Sequence, residues 1–244
     1  MNISFEGKRI VVTGAGQGIG RELALRLSKF GGKVIAVSRT QKHLDTLAQE
    51  DPSIEIIRGD VADWKTTRDA MEGVGRIDLL VNNAAVTKLD AFLDVRPEDV
   101  DTLFNTNLKS VVNVSQVAVK SMIAGGKGGS IVNVSSQASK VALKDHAVYC
   151  ATKGALDQLT RVMALELGPH NIRVNTINPT VVWTNMGHQA WNDPEKIAEM
   201  RKKIPLDRFA EIDEVVDAII YLLSDRSSMI NGVTLPVDGG FLAT

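Results

Sequence analysis

The sequence predicts an α/β protein built on a doubly wound parallel sheet with helices on both faces. Three observations predict it. Short β-branched runs alternate with helical patterns along all 244 residues. The runs are apolar throughout, as in strands covered on both sides. A glycine-rich turn joins the first run to the first helix.

Taken in order, Lys8 to Thr13 reads as the first strand, followed at once by the glycines of Gly14 to Gly20. Arg21 to Phe30 places Leu23, Leu25, Leu27 and Phe30 among charges, the pattern of an amphipathic helix. Gly31-Gly32 ends it, and Lys33 to Val37 is the second strand. This is a βαβ unit of about 30 residues. Gln41 to Glu50 then reads as a helix, Ile54 to Arg58 as a strand, Trp64 to Glu72 as a helix and Ile77 to Val81 as a strand. Pro97 opens a long helix expected to run to Ile123. A turn, Gly125-Gly126-Lys127-Gly128-Gly129, leads to the strand Ser130 to Val134. A helix from Tyr149 to about Gly168 precedes the strand Ile172 to Ile177. Pro179 to Pro205 is irregular, with one short helix expected. Ile212 to Ser224 reads as a helix and Gly232 to Val237 as the last strand. The expectation is a single Rossmann-type domain over 1–244, with seven parallel strands and a substrate lid at about 181–205.

Composition narrows the function. Hydrophobic residues make up 44% and charged residues 23%, ordinary for a soluble globular protein. The net charge of -1 offers no basic field for nucleic acid or an anionic membrane. One cysteine, Cys150, excludes an internal disulfide and fits a reducing compartment. The four histidines show no metal-ligand spacing, so no metal is expected. The N-terminus lacks a signal-peptide h-region and no apolar run is long enough to span a bilayer. A cytoplasmic protein is expected.

The glycine turn points to a dinucleotide. Without Cβ atoms its backbone can turn tightly and approach a pyrophosphate at a helix N-terminus. Its spacing, T-G-x-x-x-G-x-G, differs from the G-x-G-x-x-G fingerprint. Gly14, Gln17, Gly18, Ile19 and Gly20 are the candidates there. An NAD site places an acid at the end of the second strand to hold the ribose hydroxyls. Ser38 stands in that position, followed by Arg39 and Thr40, which can pair with a 2'-phosphate. NADP(H) is therefore the expected cofactor; the alternative for Arg39 is a solvated surface residue. Asp60 and Val61 fit an adenine-contacting turn. Asn83, in Asn82-Asn83-Ala84-Ala85, lies on the same carboxyl edge of the sheet.

The chemistry centres on Ser136 to Lys153. Tyr149 and Lys153, four apart on a helix, share a face near its N-terminus. A cation and a helix N-terminus both favour the phenolate, so the Tyr149 pKa is expected to fall toward neutrality. That would make it a general acid/base. Ser136 follows the strand Ser130 to Val134 and could hold a substrate carbonyl oxygen. Ser135 is the competing candidate, facing the other way if the strand continues.

These strings together resemble the short-chain dehydrogenase/reductase family over essentially the full chain. They are T-G-A-G-Q-G-I-G (Thr13 to Gly20), N-N-A-A (Asn82 to Ala85), Asn107 in F-N-T-N-L, Ser136, Y-C-A-T-K (Tyr149 to Lys153) and P-T-V-V-W-T (Pro179 to Thr184). Within the family, V-S-R-T, M-A-L-E-L-G-P-H, N-P-T-V-V and L-L-S-D-R-S resemble the branch that reduces L-xylulose and small α-dicarbonyls. The resemblance implies that Tyr149 is the general acid/base and that Ser136 orients the substrate oxygen. It implies that Lys153 lowers the Tyr149 pKa and holds the nicotinamide ribose. Asn107 would position a relay water. Pro179, Val182 and Thr184 would border the nicotinamide. Ala85 and Thr180 replace glycines of the family pattern, and Gln17 replaces a basic residue, leaving more of the cofactor discrimination to Arg39.

For the substrate, Ser136, Gln137, His146, Tyr149, Asn185 and Trp191 are the candidates; the alternatives are a packing Trp and a surface His. This lining suits a polyol or small dicarbonyl better than a steroid. Other expectations are a 3-oxoacyl reductase, a hydroxysteroid dehydrogenase or a non-catalytic NADP(H) sensor. The resemblance also implies a homotetramer paired through the Pro97 and Tyr149 helices, whose apolar residues occupy more than one face. The alternative is burial of those faces against the sheet alone.

Overall fold

The computed structural model describes residues 3–243. Its strands are β1 (Arg9–Thr13), β2 (Lys33–Ser38), β3 (Glu55–Arg58), β4 (Leu79–Asn82), β5 (Gly129–Val134), β6 (Ile172–Pro179) and β7 (Thr234–Val237). They form one sheet in the order β3-β2-β1-β4-β5-β6-β7, and every pair is parallel. The expected doubly wound fold is what the chain forms. The direction of winding reverses between β1 and β4, where such sheets open a crevice at their carboxyl ends.

Alternate strand residues face opposite sides, and both sides are dry. Ile10, Val12, Val34, Ala36, Leu79, Val81, Val132 and Val134 join one core. Val11, Ile35, Val37, Leu80 and Ile131 join the other. The first core is closed by α1 (Gly18–Lys29), α2 (Gln41–Glu50) and α9 (Ile212–Leu223), through Leu23, Leu44, Leu47, Val215 and Ile219 among others. The second is closed by α3 (Trp64–Glu72), α5 (Ser110–Gly125) and α6 (Ala147–Leu167), through Met71, Val114, Val117 and Ala164. Burying a side chain such as Leu23 contributes about 1.5–3 kcal/mol, which is why runs this short still hold as strands and helices.

Two elements depart from expectation. The helix begun by Pro97 is not continuous: α4 (Pro97–Phe104) passes into one wider turn, Asn105–Lys109, before α5. Such i→i+5 turns occur mostly as single insertions at functional sites. The segment after β6 holds two short helices instead of one, α7 (Asn185–Ala190) and α8 (Pro194–Lys202). Caps define both. Thr184 accepts from the Gly187 N–H at 3.1 Å, and Asp193 accepts from the Glu195 N–H at 2.9 Å. Met200, Ile204 and Phe209 form a small core of their own here, with Trp183 and Trp191 packed on it.

The C-terminus of α9 is tied to β6 by Arg173. Its guanidinium donates to the carbonyls of Leu222 (2.9 Å), Ser224 (3.0 Å), Leu223 (3.4 Å) and Ile230 (3.4 Å), and to the Ser227 hydroxyl (3.0 Å). A cation on the last-turn carbonyls satisfies orphan acceptors and complements the helix dipole.

Candidate active site

A cavity of about 320 Å³ lies beyond the carboxyl ends of β1, β2, β4, β5 and β6. It runs from the β1–α1 turn past the end of β2 to the N-terminal part of α6.

At one end Gly14, Gln17, Gly18 and Ile19 line the wall. Gly14 has φ +67, and a Cβ there would meet the Ala84 Cα at 2.8 Å, so only glycine lets the two strand ends approach. Gly20 is not on the wall. Its Cβ would fall 2.4 Å from the Asn83 amide nitrogen and 2.5 Å from the Gly14 carbonyl, so this glycine serves packing inside the turn, not the ligand side as expected. Asn83 lines the cavity while its Nδ2 donates to the carbonyls of Thr13 (3.0 Å) and Gly14 (3.2 Å).

Ser38, Arg39 and Thr40 line the next stretch of wall. Arg39 is exposed and forms no hydrogen bond or ion pair with the described residues, leaving all its donors for a ligand. His43 lines the same wall, which the sequence reading missed. The available signal was its place on the first turn of α2, three residues after Thr40. Asp60 and Val61 also line the cavity, with one Asp60 oxygen accepting from the Ala62 N–H at 3.0 Å.

At the other end Ser136, Gln137, His146, Tyr149 and Lys153 come together. Ser136 ends β5 in extended backbone, and its hydroxyl accepts from the Ala138 N–H at 3.1 Å. It also stands close enough to the Tyr149 phenol to favour the phenolate. Ser135, the competing serine, lies within 3.4 Å of the Lys153 carbonyl on the helix side.

One expectation is corrected here. The Tyr149 pKa is not lowered. Burial pushes the phenol up to about 12, the nearby Ser136 hydroxyl pulls it back in part, and Cys150 adds to the rise. The reason is where the ammonium goes. Lys153 Nζ donates to the Val134 carbonyl at 2.8 Å and stands 5.6 Å from the Tyr149 ring centre. Burial, opposed by Asp157, lowers Lys153 itself to about 8. The Asn107 side chain is held within the chain. Its Oδ1 accepts from the Val86 N–H at 2.9 Å, and its Nδ2 donates to the Val86 carbonyl (3.0 Å) and the Thr152 hydroxyl (3.2 Å). Asn107 thereby clasps the strand end after β4 to the wider turn at 105–109. Asn185 lines the cavity but is exposed, and it donates to Gln17 Oε1 at 3.1 Å. It bridges α7 to the glycine turn.

The remaining candidates also reach the cavity: Pro179, Val182, Thr184 and Trp191. The Thr184 hydroxyl already caps α7. His146 sets Nδ1 2.6 Å from the Lys144 carbonyl, an acceptor, so Nδ1 carries the proton and Nε2 is left as an acceptor. Its ring meets Tyr149 edge-on at 6.2 Å. Val86, Leu143 and Met186 complete the apolar lining and carried no signal in the sequence. Gln137 Oε1 and Thr180 Oγ1 are buried without a partner among the described residues. They stand at matching positions, three residues beyond Val134 and Ile177, which are register partners on β5 and β6.

A family model described as Enoyl-(Acyl carrier protein) reductase matches residues 14–242. The chain is 58% identical over 244 residues to L-xylulose reductase of Mus musculus, covering 100% of both. It is 50% identical over 244 residues to Carbonyl reductase [NADPH] 2 of Sus scrofa, again covering 100% of both. Among solved structures, a gluconate 5-dehydrogenase from Burkholderia cenocepacia J2315, in complex with NADP and tartrate, superposes with a TM-score of 0.95 at 33% identity. That match covers 100% of this chain and 98% of the other.

Proposed function

The chain belongs to the short-chain dehydrogenase/reductase family, and from that premise we propose that it is an NADPH-dependent carbonyl reductase acting on L-xylulose and small α-dicarbonyls. The observation that carries this reading is one continuous cavity, with a partnerless Arg39 at one end and Ser136, Tyr149 and Lys153 at the other.

The wall suits NADP(H). Gly14 and Gly18 line the wall at positive φ, a tight turn that would bring backbone to a pyrophosphate, and the Arg39 fork matches a 2'-phosphate where an acid would repel it. Gln17, Ile19, Ser38, Thr40, Asp60, Val61 and Asn83 would complete the cofactor wall. Pro179, Val182 and Thr184 would border the nicotinamide. When bound, NADPH supplies the hydride. The chain supplies position and a proton. Ser136 holds the substrate carbonyl oxygen against the Tyr149 hydroxyl, and a phenol with a pKa near 12 is fully protonated at neutral pH, ready to donate. Lys153, charged below about 8 and resting on the Val134 carbonyl, would hold the nicotinamide ribose. Asn107 fixes Val86 and Thr152 beside α6 and would position the relay water there.

His146 Nε2, Gln137 and Trp191 would hold the substrate: an acceptor, an amide and an apolar wall, suited to a short polyol. The unpartnered Gln137 and Thr180 oxygens would gain partners from such a ligand. The segment 181–205 would act as the lid, latched by Asn185 to Gln17. A homotetramer built through the α4–α5 and α6 faces completes the reading, where Val162 and Leu165 are exposed. Light scattering should give four copies. Among the described residues no helix is long and apolar enough to cross a membrane.

The deciding experiment follows NADPH oxidation over L-xylulose, diacetyl, a 3-oxoacyl thioester and a steroid ketone. Turnover with the first two is expected. Turnover confined to the last two would overturn the substrate assignment, and none with any would overturn the enzyme reading.

A further inference from the structure

We infer that Asp157, which lies outside the cavity, is a positioning residue for this reaction: it anchors the Ser136 turn from beneath and supplies the negative charge that Lys153 faces. The inference rests on the reductase reading for its catalytic meaning, though its geometry stands alone. Asp157 is one helical turn after Lys153 on α6, and so on the same face. It is 3% exposed. A carboxylate this deep is rare unless paired, and its partners all lead toward the site.

Asp157 Oδ2 accepts from the Ser139 hydroxyl at 2.6 Å, and its two oxygens stand 3.0 and 3.2 Å from Asn178 Nδ2. Ser139 and Asn178 are also the groups that hold the Ser136 carbonyl. It accepts from the Ser139 N–H at 3.0 Å and from Asn178 Nδ2 at 3.1 Å, with the Ser139 hydroxyl at 2.8 Å. The hydroxyl has one proton and two acceptors in reach. The carboxylate, the stronger acceptor, takes it. Asn178 Nδ2 then has two protons for three acceptors, the Ser139 hydroxyl at 2.8 Å, Asp157 and the Ser136 carbonyl, while its Oδ1 accepts from the Thr176 hydroxyl at 2.9 Å. The acceptor-only Asp157 therefore sets the direction of the Ser139 hydroxyl and braces the Asn178 amide that Thr176 orients, and through them it holds the Ser136 turn that faces Tyr149.

The second half concerns charge. The titratable groups around Lys153 are Tyr149 and Asp157 on α6, His146 at its N-terminus, and Lys140 from the turn after Ser139. Asp99 on α4 is engaged by Arg96 at 2.8 Å and Lys88 at 3.7 Å. His170 sits at the far end of α6. From the β5 end and the 105–109 turn, Lys153 and its neighbour Thr152 meet the uncharged Val134 carbonyl, Ser135 hydroxyl and Asn107 amide. Asp157 opposes the burial that works against the Lys153 ammonium. Lys140 Nζ, 3.7 Å from Asp157 and partly exposed, moderates that charge from the solvent side.

Asp157→Asn keeps the shape and can keep the hydrogen bonds by turning its amide, but it removes the charge. The test is the Lys153 midpoint in cofactor-free protein, followed by NMR of the side-chain ammonium, beside the pH profile of kcat for L-xylulose reduction. For D157N both the midpoint and the basic limb of kcat should move down by about 1 unit. Lys140→Gln removes the moderating cation from a partly exposed site and should move both up. A D157N midpoint and limb that coincide with wild type would reduce Asp157 to a structural residue and overturn the inference. If D157N fails to fold, an unmoved K140Q midpoint has the same force. A shifted midpoint in a protein that reduces no carbonyl would sustain the charge relationship and refute the reductase reading alone.

Discussion

Lys153 donates its proton to the Val134 carbonyl at 2.8 Å, so the ammonium rests on the last residue of β5 and not on the phenol one turn away. Its burial leaves it half-titrated near pH 8, against 10.5 for an ordinary lysine. Between those values the unfolded chain binds more protons than the folded one, so folding stability rises with pH across that window, by up to about 3 kcal/mol. Tyr149 acts with the opposite sign. Raised from 10 to about 12, it keeps its proton when folded, and stability falls from pH 10 upward. Urea midpoints should therefore climb from pH 8 to near 10 and then decline. Lys153→Met should flatten the climb. A climb of equal size in that variant would contradict the assignment.

Tyr149→Phe should lower kcat by about 10²–10⁴-fold, the usual contribution of a positioned proton donor. NADPH affinity, read by fluorescence of the bound nicotinamide, should change little, because the phenol is no part of the phosphate wall. Wild-type turnover in this variant would sink the proton-delivery role.

Arg39→Asp should weaken NADPH by about 10–100-fold, the loss of a charge-assisted hydrogen bond together with added repulsion. NADH should be nearly unaffected. The ratio of kcat/KM for the two cofactors measures this directly, and an unchanged ratio would place the 2'-phosphate elsewhere.

Arg173→Met keeps the apolar stem and removes the five-acceptor clasp on the end of α9. The carbonyls of Leu222 and Ser224 then lose their charged donor and keep only the weaker serine donors, at a cost of about 1–3 kcal/mol. A clear fall in Tm with kcat preserved is expected, since the clasp sits at the opposite end of β6 from the cavity. A Tm equal to wild type would mean that water replaces the guanidinium freely.

The fold was legible because β-branched runs and glycine turns mark every crossover, and Gln41–Glu50 and Trp64–Glu72 fall within the residues expected of them. The cavity wall was legible for a related reason: position after a strand determines which residues face the crevice. What could not be read were side-chain destinations. Asn107 and Asn185 carry amides, and sequence says nothing of whether an amide meets a ligand or, as here, Val86 and Gln17. The Tyr149 shift was misjudged because spacing places Lys153 nearby without showing that Val134 claims its proton. The wider turn at 105–109 left no periodic trace, since one extra residue per turn disturbs a helical pattern no more than ordinary variation does.

The Asn83 amide reaches back 70 positions along the chain to the Thr13 carbonyl. A Cβ at Gly14 or Gly20 would collide with this same region. The β1–α1 turn therefore gains these bonds only once β4 has docked beside β1. The phosphate end of the cavity is completed by a contact across that span, although its residues emerge early in synthesis. A nascent chain shorter than about 85 residues would have the glycines but no preorganised turn, and loop closure over that span sets the pace. Cofactor capture during synthesis would have to wait for that closure.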